Sequence, residues 1–371
     1  MTDLVHLLPL WRELCETGTE YVLATVVAVE GSGYRKPGAR MIVAADGRRA
    51  GTISGGCLEG DVARKAFWHT ENGPTVRRYS TAAEDGEVPY GMGCGGIIHL
   101  LLERSATANP LMQQLALKFA ERQPIAVSTV LDGDWIGQRT YFPAPAPGVP
   151  DNLGELAQQA FEGQHSFSQT IPAEGQQIAT VRAEWIPARP AVFIFGAGDD
   201  ACPLVRQARQ LGWYIAVADG RSHLAAHSRF PEADDVFVLP PESFPLELRP
   251  TDAAVVMTHS LQQDTRILSH LLSKELAYLG VLGPRRRTSE ILLSLAGNLA
   301  LPIAEIDRRI ETWMEQLHAP MGLDLGGDTP ADIALAVIAE IQQNRYHASG
   351  MALRQKRRQA IQNHTYDLPT R

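Results

Sequence analysis

The chain has no run of the roughly 20 consecutive apolar residues that a helix needs to cross a bilayer, so no membrane span is expected in its 371 residues. It also has no excess of positive charge: 34 Lys and Arg stand against 42 Asp and Glu, a net charge of −8. General nucleic-acid binding needs a basic footprint to neutralise phosphates and is therefore not expected. Cysteine is scarce, four residues in all, which is no disulfide framework for a chain of this size. There is no Cys-x-x-Cys, so a structural zinc site is not expected. The first residues, Met1-Thr2-Asp3-Leu4-Val5-His6, have neither the basic start nor the apolar run of a secretory leader. A cytoplasmic location with free thiols is the expectation. No internal repeat occurs at a fixed period.

What is present is an ordinary soluble composition, 44% hydrophobic and 20% charged, in a chain long enough for two or three domains. The first half reads as mixed α and β. A helix is expected over Leu4 to Cys15 and a strand over Tyr21 to Val29. Arg40 to Ala45 and Arg49 to Ile53 should form a hairpin turned by Asp46-Gly47. A helix over Leu58 to His69 follows, then strands at Val76 to Tyr79 and Ile97 to Glu103, a helix at Leu111 to Glu121, and strands at Ile125 to Leu131 and Trp135 to Tyr141. Residues 143–152 are rich in proline and read as a connector. The expected division is a first domain over 1–187, a Rossmann-like domain over 188–349 and a polar tail over 350–371.

The second half alternates apolar strands with helices, the pattern of a parallel sheet buried on both faces. Strands are expected from Ala191, Trp213, Asp235, Ala253 and Ala277, and helices near Asp199 to Leu211, Leu261 to Leu272, Arg285 to Leu295, Ile303 to Leu317 and Pro330 to Tyr346. The first strand runs into Gly196-Ala197-Gly198-Asp199-Asp200-Ala201, a dinucleotide fingerprint. Gly196 permits the tight turn, Gly198 close approach of a pyrophosphate, and Ala201 close helix packing. The helix N-terminus offers free N–H groups to an anion. Asp219, ending the next strand, has the spacing of a ribose-binding acid, or it pairs with Arg221. Asp199 and Asp200 put carboxylates where the pyrophosphate would lie, so a scaffold with a lost or altered nucleotide site is the alternative. His259 ends another strand near Asp264 and is a candidate acid–base or ligand residue, or a loop histidine. Gly322, Gly326 and Gly327 precede Thr329-Pro330, a helix N-cap and first-turn proline; three glycines suit either a ligand loop or a turn.

Two cysteines stand among glycines. Cys57 follows Ser54-Gly55-Gly56 and opens a helix, a position that favours thiolate. Cys94 lies in Gly93-Cys94-Gly95-Gly96, a segment stripped of side chains. Both are candidate soft ligands or nucleophiles. Cys15, on an apolar helix face, and Cys202, inside the Rossmann helix, read as inert and buried. Arg35, Lys36 and Arg40 sit with Gly31, Gly33 and Gly38 in a loop suited to a phosphate or another anionic group.

Together these segments resemble the XdhC/CoxI family. The resemblance rests on Gly31-Ser-Gly-Tyr-Arg-Lys-Pro-Gly-Ala-Arg40, Ser54-Gly-Gly-Cys-Leu-Glu-Gly60, Gly93-Cys-Gly-Gly96, Phe195-Gly-Ala-Gly198, Arg229-Phe-Pro231 with Ala233-Asp234, Thr258-His259, Leu282-Gly283 before Arg285-Arg286-Arg287, and Gly322-Leu-Asp-Leu-Gly326 with Thr329-Pro330. It implies a non-catalytic chaperone that holds molybdopterin cofactor, in mono- or dinucleotide form, and protects it during sulfuration. Delivery to a molybdenum hydroxylase such as xanthine dehydrogenase would follow. The implied partners are that enzyme's large subunit, a cysteine desulfurase and a second copy of the chain. Cys57 and Cys94 would face the molybdenum. The chain departs from many members in having Asp199 where they carry His. The competing functions are an NAD(P)-dependent oxidoreductase built on Gly196, Gly198 and Asp219, and a docking scaffold with no bound ligand.

Overall fold

The computed structural model describes residues 3–31, 33–56, 58–80, 96–146, 148, 150–172, 178–240, 244–297, 299 and 302–355. The chain forms two compact units, Met1–Arg189 and Pro190–Arg371.

In the first unit, α1 (Leu4–Thr17) precedes β1 (Tyr21–Glu30), β2 (Arg40–Ala44) and β3 (Arg49–Gly51). Then come α2 (Glu59–His69), β4 (Thr75–Ser80), β5 (Ile97–Arg104) and α3 (Ser105–Ala120). The strands make an antiparallel sheet in the order β3-β2-β1-β5-β4. Its faces follow the period of two. Val22, Ala24 and Val26 of β1 pack with Val62 and Ala66 of α2. Tyr21 and Leu23 pack with Leu7 and Trp11 of α1 and Leu111 and Leu115 of α3. A second antiparallel sheet, in the order β7-β6-β9-β8, is built from β6 (Ile125–Val130), β7 (Arg139–Phe142), β8 (Phe167–Pro172) and β9 (Ile178–Ile186). Ile125 and Val127 share the core with α1 and α3. The opposite face, including Ala126 and Val130, is covered by α4 (Asp151–Glu162).

Two expectations need correction here. The strand expected over Trp135 to Tyr141 begins only at Arg139, because Gly133–Trp135 is a 3-10 turn and Gly137 adopts φ +86°. The expected connector ends early, since Asp151 and Asn152 already belong to α4.

The second unit is a parallel sheet in the order β12-β11-β10-β13-β14. Its strands are β10 (Ala191–Phe195), β11 (Tyr214–Asp219), β12 (Asp235–Val238), β13 (Ala253–Val256) and β14 (Tyr278–Val281). Val192 and Ile194 face a core shared with α5 (Ala201–Gln210) and α9 (Pro330–Arg345). Phe193 and Phe195 face the other core, with α6 (Leu261–Leu271), α7 (Arg285–Gly297) and α8 (Ile303–Gln316). This is the α/β fold expected: a mixed α and β part followed by a Rossmann-like parallel sheet. No helix among the described residues is long and apolar enough to cross a membrane.

Candidate functional site

In the first unit, the loop of Gly33 to Gly38 and the turn of Ser54 to Gly56 meet where Tyr34 faces Gly55. β1 ends at Glu30, whose register partner is Ile97 at the start of β5, and Ile97 also pairs with Ser80 at the end of β4. Glu30, Ile97 and Ser80 therefore lie side by side at this end of the sheet. His99 Nε2 lies 2.6 Å from Glu30 Oε1 at this edge. Cys57, Gly93, Cys94 and Gly95 lie outside the described residues.

The turn before α2 is held by a carboxylate that sequence reasoning passed over. Glu59 Oε1 accepts the backbone N–H of Ile53 at 3.1 Å and of Ser54 at 2.8 Å, and Oε2 accepts the Ser54 hydroxyl at 2.5 Å. The Ser54 oxygen accepts in turn from the N–H groups of Gly56 and Leu58. Burial pushes the Glu59 carboxyl up, but these donors outweigh it and hold the pKa below the ordinary value. In sequence Glu59 is the first residue of a helix, five residues after a Ser, a spacing that by itself names no partner. A side chain at Gly55 would rest against the Tyr34 ring at 3.7 Å, and Gly56 adopts φ +112° with open space around it. Tyr34 itself is 75% exposed. Loop and turn thus meet where the Tyr34 ring lies against Gly55 and Gly56 is left uncovered.

The loop cations divide. Arg35 is paired with Asp3. Arg40, expected as an anion-binding loop residue, is buried: its guanidinium donates to Glu184 at 2.6 and 3.2 Å and to the Gly38 carbonyl at 2.9 Å. A carboxylate on β9 has captured it. Cys15 also corrects the expectation, being exposed, while Cys202 is partly buried; burial, the leading cause, raises both thiols.

In the second unit the candidate residues gather at the strand C-terminal edge, where Rossmann folds bind ligands. Gly196 adopts φ +126°, and a Cβ there would lie 2.4 Å from the Met257 carbonyl oxygen. At Gly198 a Cβ would lie 2.4 Å from Asp200 Oδ1. The side on which a pyrophosphate would approach thus faces a carboxylate of the chain itself. Asp219 does not present its carboxylate to a ribose. It is buried, with Oδ2 accepting the Ala197 N–H at 2.8 Å and both oxygens accepting from Arg221. Burial works against ionisation, yet Arg221 and the Ala197 N–H keep this pKa below the ordinary value. Asp199 is exposed and paired with Arg229, which also donates to the Ala197 carbonyl.

His259 pairs with Asp200 at 2.8 Å rather than with Asp264, and it adopts φ +60°. Asp264 is committed to the Thr258 hydroxyl at 2.5 Å and to Arg287 at 2.6 Å, so the resemblance-bearing Thr258 and Arg287 brace one loop. Beside Asp200 lies a cavity of about 70 Å³ lined by Leu204, Met257, Met321, Val337 and Asp328 among others.

In the closing loop the glycines meet backbone demands. Gly322 adopts φ +104°, passes α9 so closely that a Cβ would meet Ala336 at 3.2 Å, and donates its N–H to Glu340 at 2.7 Å. Gly326 and Gly327 also have positive φ, and Thr329 forms a capping box with Asp332. Among the described residues no cluster of three or more His, Cys, Asp or Glu is arranged to hold a metal ion.

Residues 192–341 match the family model described as the XdhC Rossmann domain, and residues 14–80 that of the XdhC and CoxI family. The chain is 33% identical over 337 residues to a Bacillus subtilis protein named as a probable xanthine dehydrogenase subunit, covering 90% of this chain and 95% of that one. It is 25% identical over 347 residues to Escherichia coli PaoD, named a molybdenum cofactor insertion chaperone, covering 90% and 86%. A crystal structure from Bacillus halodurans, described as that of a xanthine dehydrogenase, superposes with a TM-score of 0.70 at 29% identity, covering 93% of this chain and 97% of that one. By this agreement along nearly its whole length, the chain belongs to the XdhC and CoxI family.

Proposed function

We propose that this protein is an accessory factor of a molybdenum hydroxylase of the xanthine dehydrogenase type. It binds a molybdopterin cofactor as cargo, shields it while its molybdenum gains a terminal sulfur, and delivers it. Family membership and the names of the relatives support the accessory role. The observation that carries the binding is the turn of Ser54, Gly55 and Gly56, locked by Glu59 and faced by Tyr34. Gly56 has open space around it beside the exposed Tyr34 ring, so a planar group can stack there, and the next residue in sequence is Cys57. A thiolate there or at Cys94 is a soft ligand suited to molybdenum. The cofactor supplies the oxidation chemistry in the target enzyme. This chain positions, covers and releases it. A cysteine desulfurase would donate the sulfur, the hydroxylase large subunit would receive the cofactor, and a homodimer is the proposed assembly.

An NAD(P) oxidoreductase is the weaker reading. Asp200 lies on the pyrophosphate side of Gly198, and Asp219 is turned inward.

The test is mass spectrometry of small molecules released from protein purified under reducing conditions, alongside four single variants. Cys57→Ala and Cys94→Ala are expected to lose most of the bound molybdopterin while remaining folded. Cys15→Ala and Cys202→Ala are expected to retain it. Equal retention in all four would remove the thiolate role, and a released nicotinamide nucleotide would replace the reading with the oxidoreductase.

A further inference from the structure

The geometry points to a chloride-class monatomic anion site buried between the two sheets of the first unit, held by Thr25, Arg40, Arg139 and Arg182. A cavity of about 20 Å³ lies there, lined by these side chains and by Glu103 and Glu184 among others. That volume holds one water-sized particle. The lining comes from β1, β2, β5, β6, β7 and β9, with Leu111 of α3. Thr25 is the register partner of Arg40 on the first sheet. On the second sheet, Arg139 and Arg182 both pair with Thr129.

Thr25, Arg40, Glu103 and Arg139 are all more than nine-tenths buried. Their terminal groups are partly satisfied: Arg40 grips Glu184, and Arg139 donates to Glu103 Oε1 at 2.5 Å. What remains is the Nε of each of the three arginines, the Thr25 hydroxyl and Glu103 Oε2, all buried and without a partner among the described residues. A buried polar atom left unmade costs more than a hydrogen bond gains, so such a set demands an occupant.

Its chemistry selects an anion over water. Three N–H groups and a hydroxyl are available as donors, whereas a water oxygen accepts two hydrogen bonds. Three guanidinium groups face only two carboxylates, which leaves net positive charge in a region of low dielectric. Burial raises the Glu103 carboxyl against the opposing pull of Arg139, and a protonated Oε2 would itself donate. Polyatomic anions such as sulfate exceed the space. Because Arg40 and Glu184 also hold Gly38 in place, the ion would stiffen the root of the loop that carries Tyr34.

The experiment is thermal unfolding of the full chain in sodium chloride and in sodium gluconate at equal ionic strength. Chloride is expected to raise the midpoint saturably, by about 3–6 °C at tenfold excess over its dissociation constant. Bromide should replace it, and sulfate should not. Thr25→Val keeps shape and removes one donor, and should weaken chloride binding about tenfold. Should that variant fail to fold, Glu103→Gln provides the second test: it removes negative charge and should bind chloride at least as tightly. A crystal soaked in bromide should show an anomalous peak among the three arginines. Equal midpoints in chloride and gluconate, weaker chloride binding in Glu103→Gln, or a bromide-free site holding only water would each overturn the proposal.

Discussion

Glu59 shows how one side chain can set a backbone. Its carboxylate accepts two consecutive backbone N–H groups and a hydroxyl, and it closes a turn whose glycines have no side chains with which to define themselves. Glu59→Ala would leave the buried N–H groups of Ile53 and Ser54 without an acceptor. A loss of about 2–4 kcal/mol is expected in urea unfolding, with faster amide exchange at both positions; a loss under about 0.5 kcal/mol would show that the turn holds itself. The sequence advertised the glycines and cysteines and hid their support. A carboxylate that braces a loop from inside a helix has no spacing rule of its own, whereas a thiol among glycines stands out at once. Arg40 failed for the related reason that its partner, Glu184, decides which way it points and is 144 residues away; at Asp219 the expected alternative, pairing with Arg221, is the one observed.

Elements were more legible than residues. Strands β10, β11, β13 and β14 and helices α5 to α9 fall within about two residues of expectation, because apolar runs between helical periods leave little choice. No element is expected from the sequence over residues 153 to 186. Helix α4 and strand β8 carry many polar exposed residues, and β8 joins the sheet only through β9, which pairs with β6. The turn after β10 illustrates what an element can impose on one position. Gly196→Ala would place a Cβ 2.4 Å from a carbonyl oxygen at φ +126°, where neither the backbone nor the dihedral can give cheaply. A loss of about 3 kcal/mol or more is expected for the second unit. Gly47→Ala, also at positive φ but with nothing within 4 Å, should cost about 1 kcal/mol. Equal losses would mean that the dihedral, not the packing, accounts for Gly196.

At the scale of the molecule, both units use buried carboxylates as braces, and this sets how stability responds to pH. Burial acts first on Glu59, Glu184, Asp219 and Glu340 and opposes ionisation, but their donors prevail and each pKa is depressed. Between such a depressed value and the ordinary value near 4, the unfolded chain binds more protons than the folded one. The stability these groups contribute is therefore complete above about pH 5 and is lost as pH falls through their folded values. Glu103 has the opposite sign. Burial raises it despite Arg139, so the folded state holds the extra proton, and its contribution falls as pH rises from the ordinary value through the folded one. Four depressed groups outweigh one raised group, so the urea midpoint is expected to drop steeply between about pH 5 and pH 3. Asp219→Asn should flatten part of that acid limb, since an amide cannot titrate. Glu103→Gln should leave the acid limb intact and remove a shallower decline on its alkaline side. A midpoint unchanged from about pH 6 to pH 3, or an acid limb abolished by Glu103→Gln, would show that these braces do not govern the response to acid.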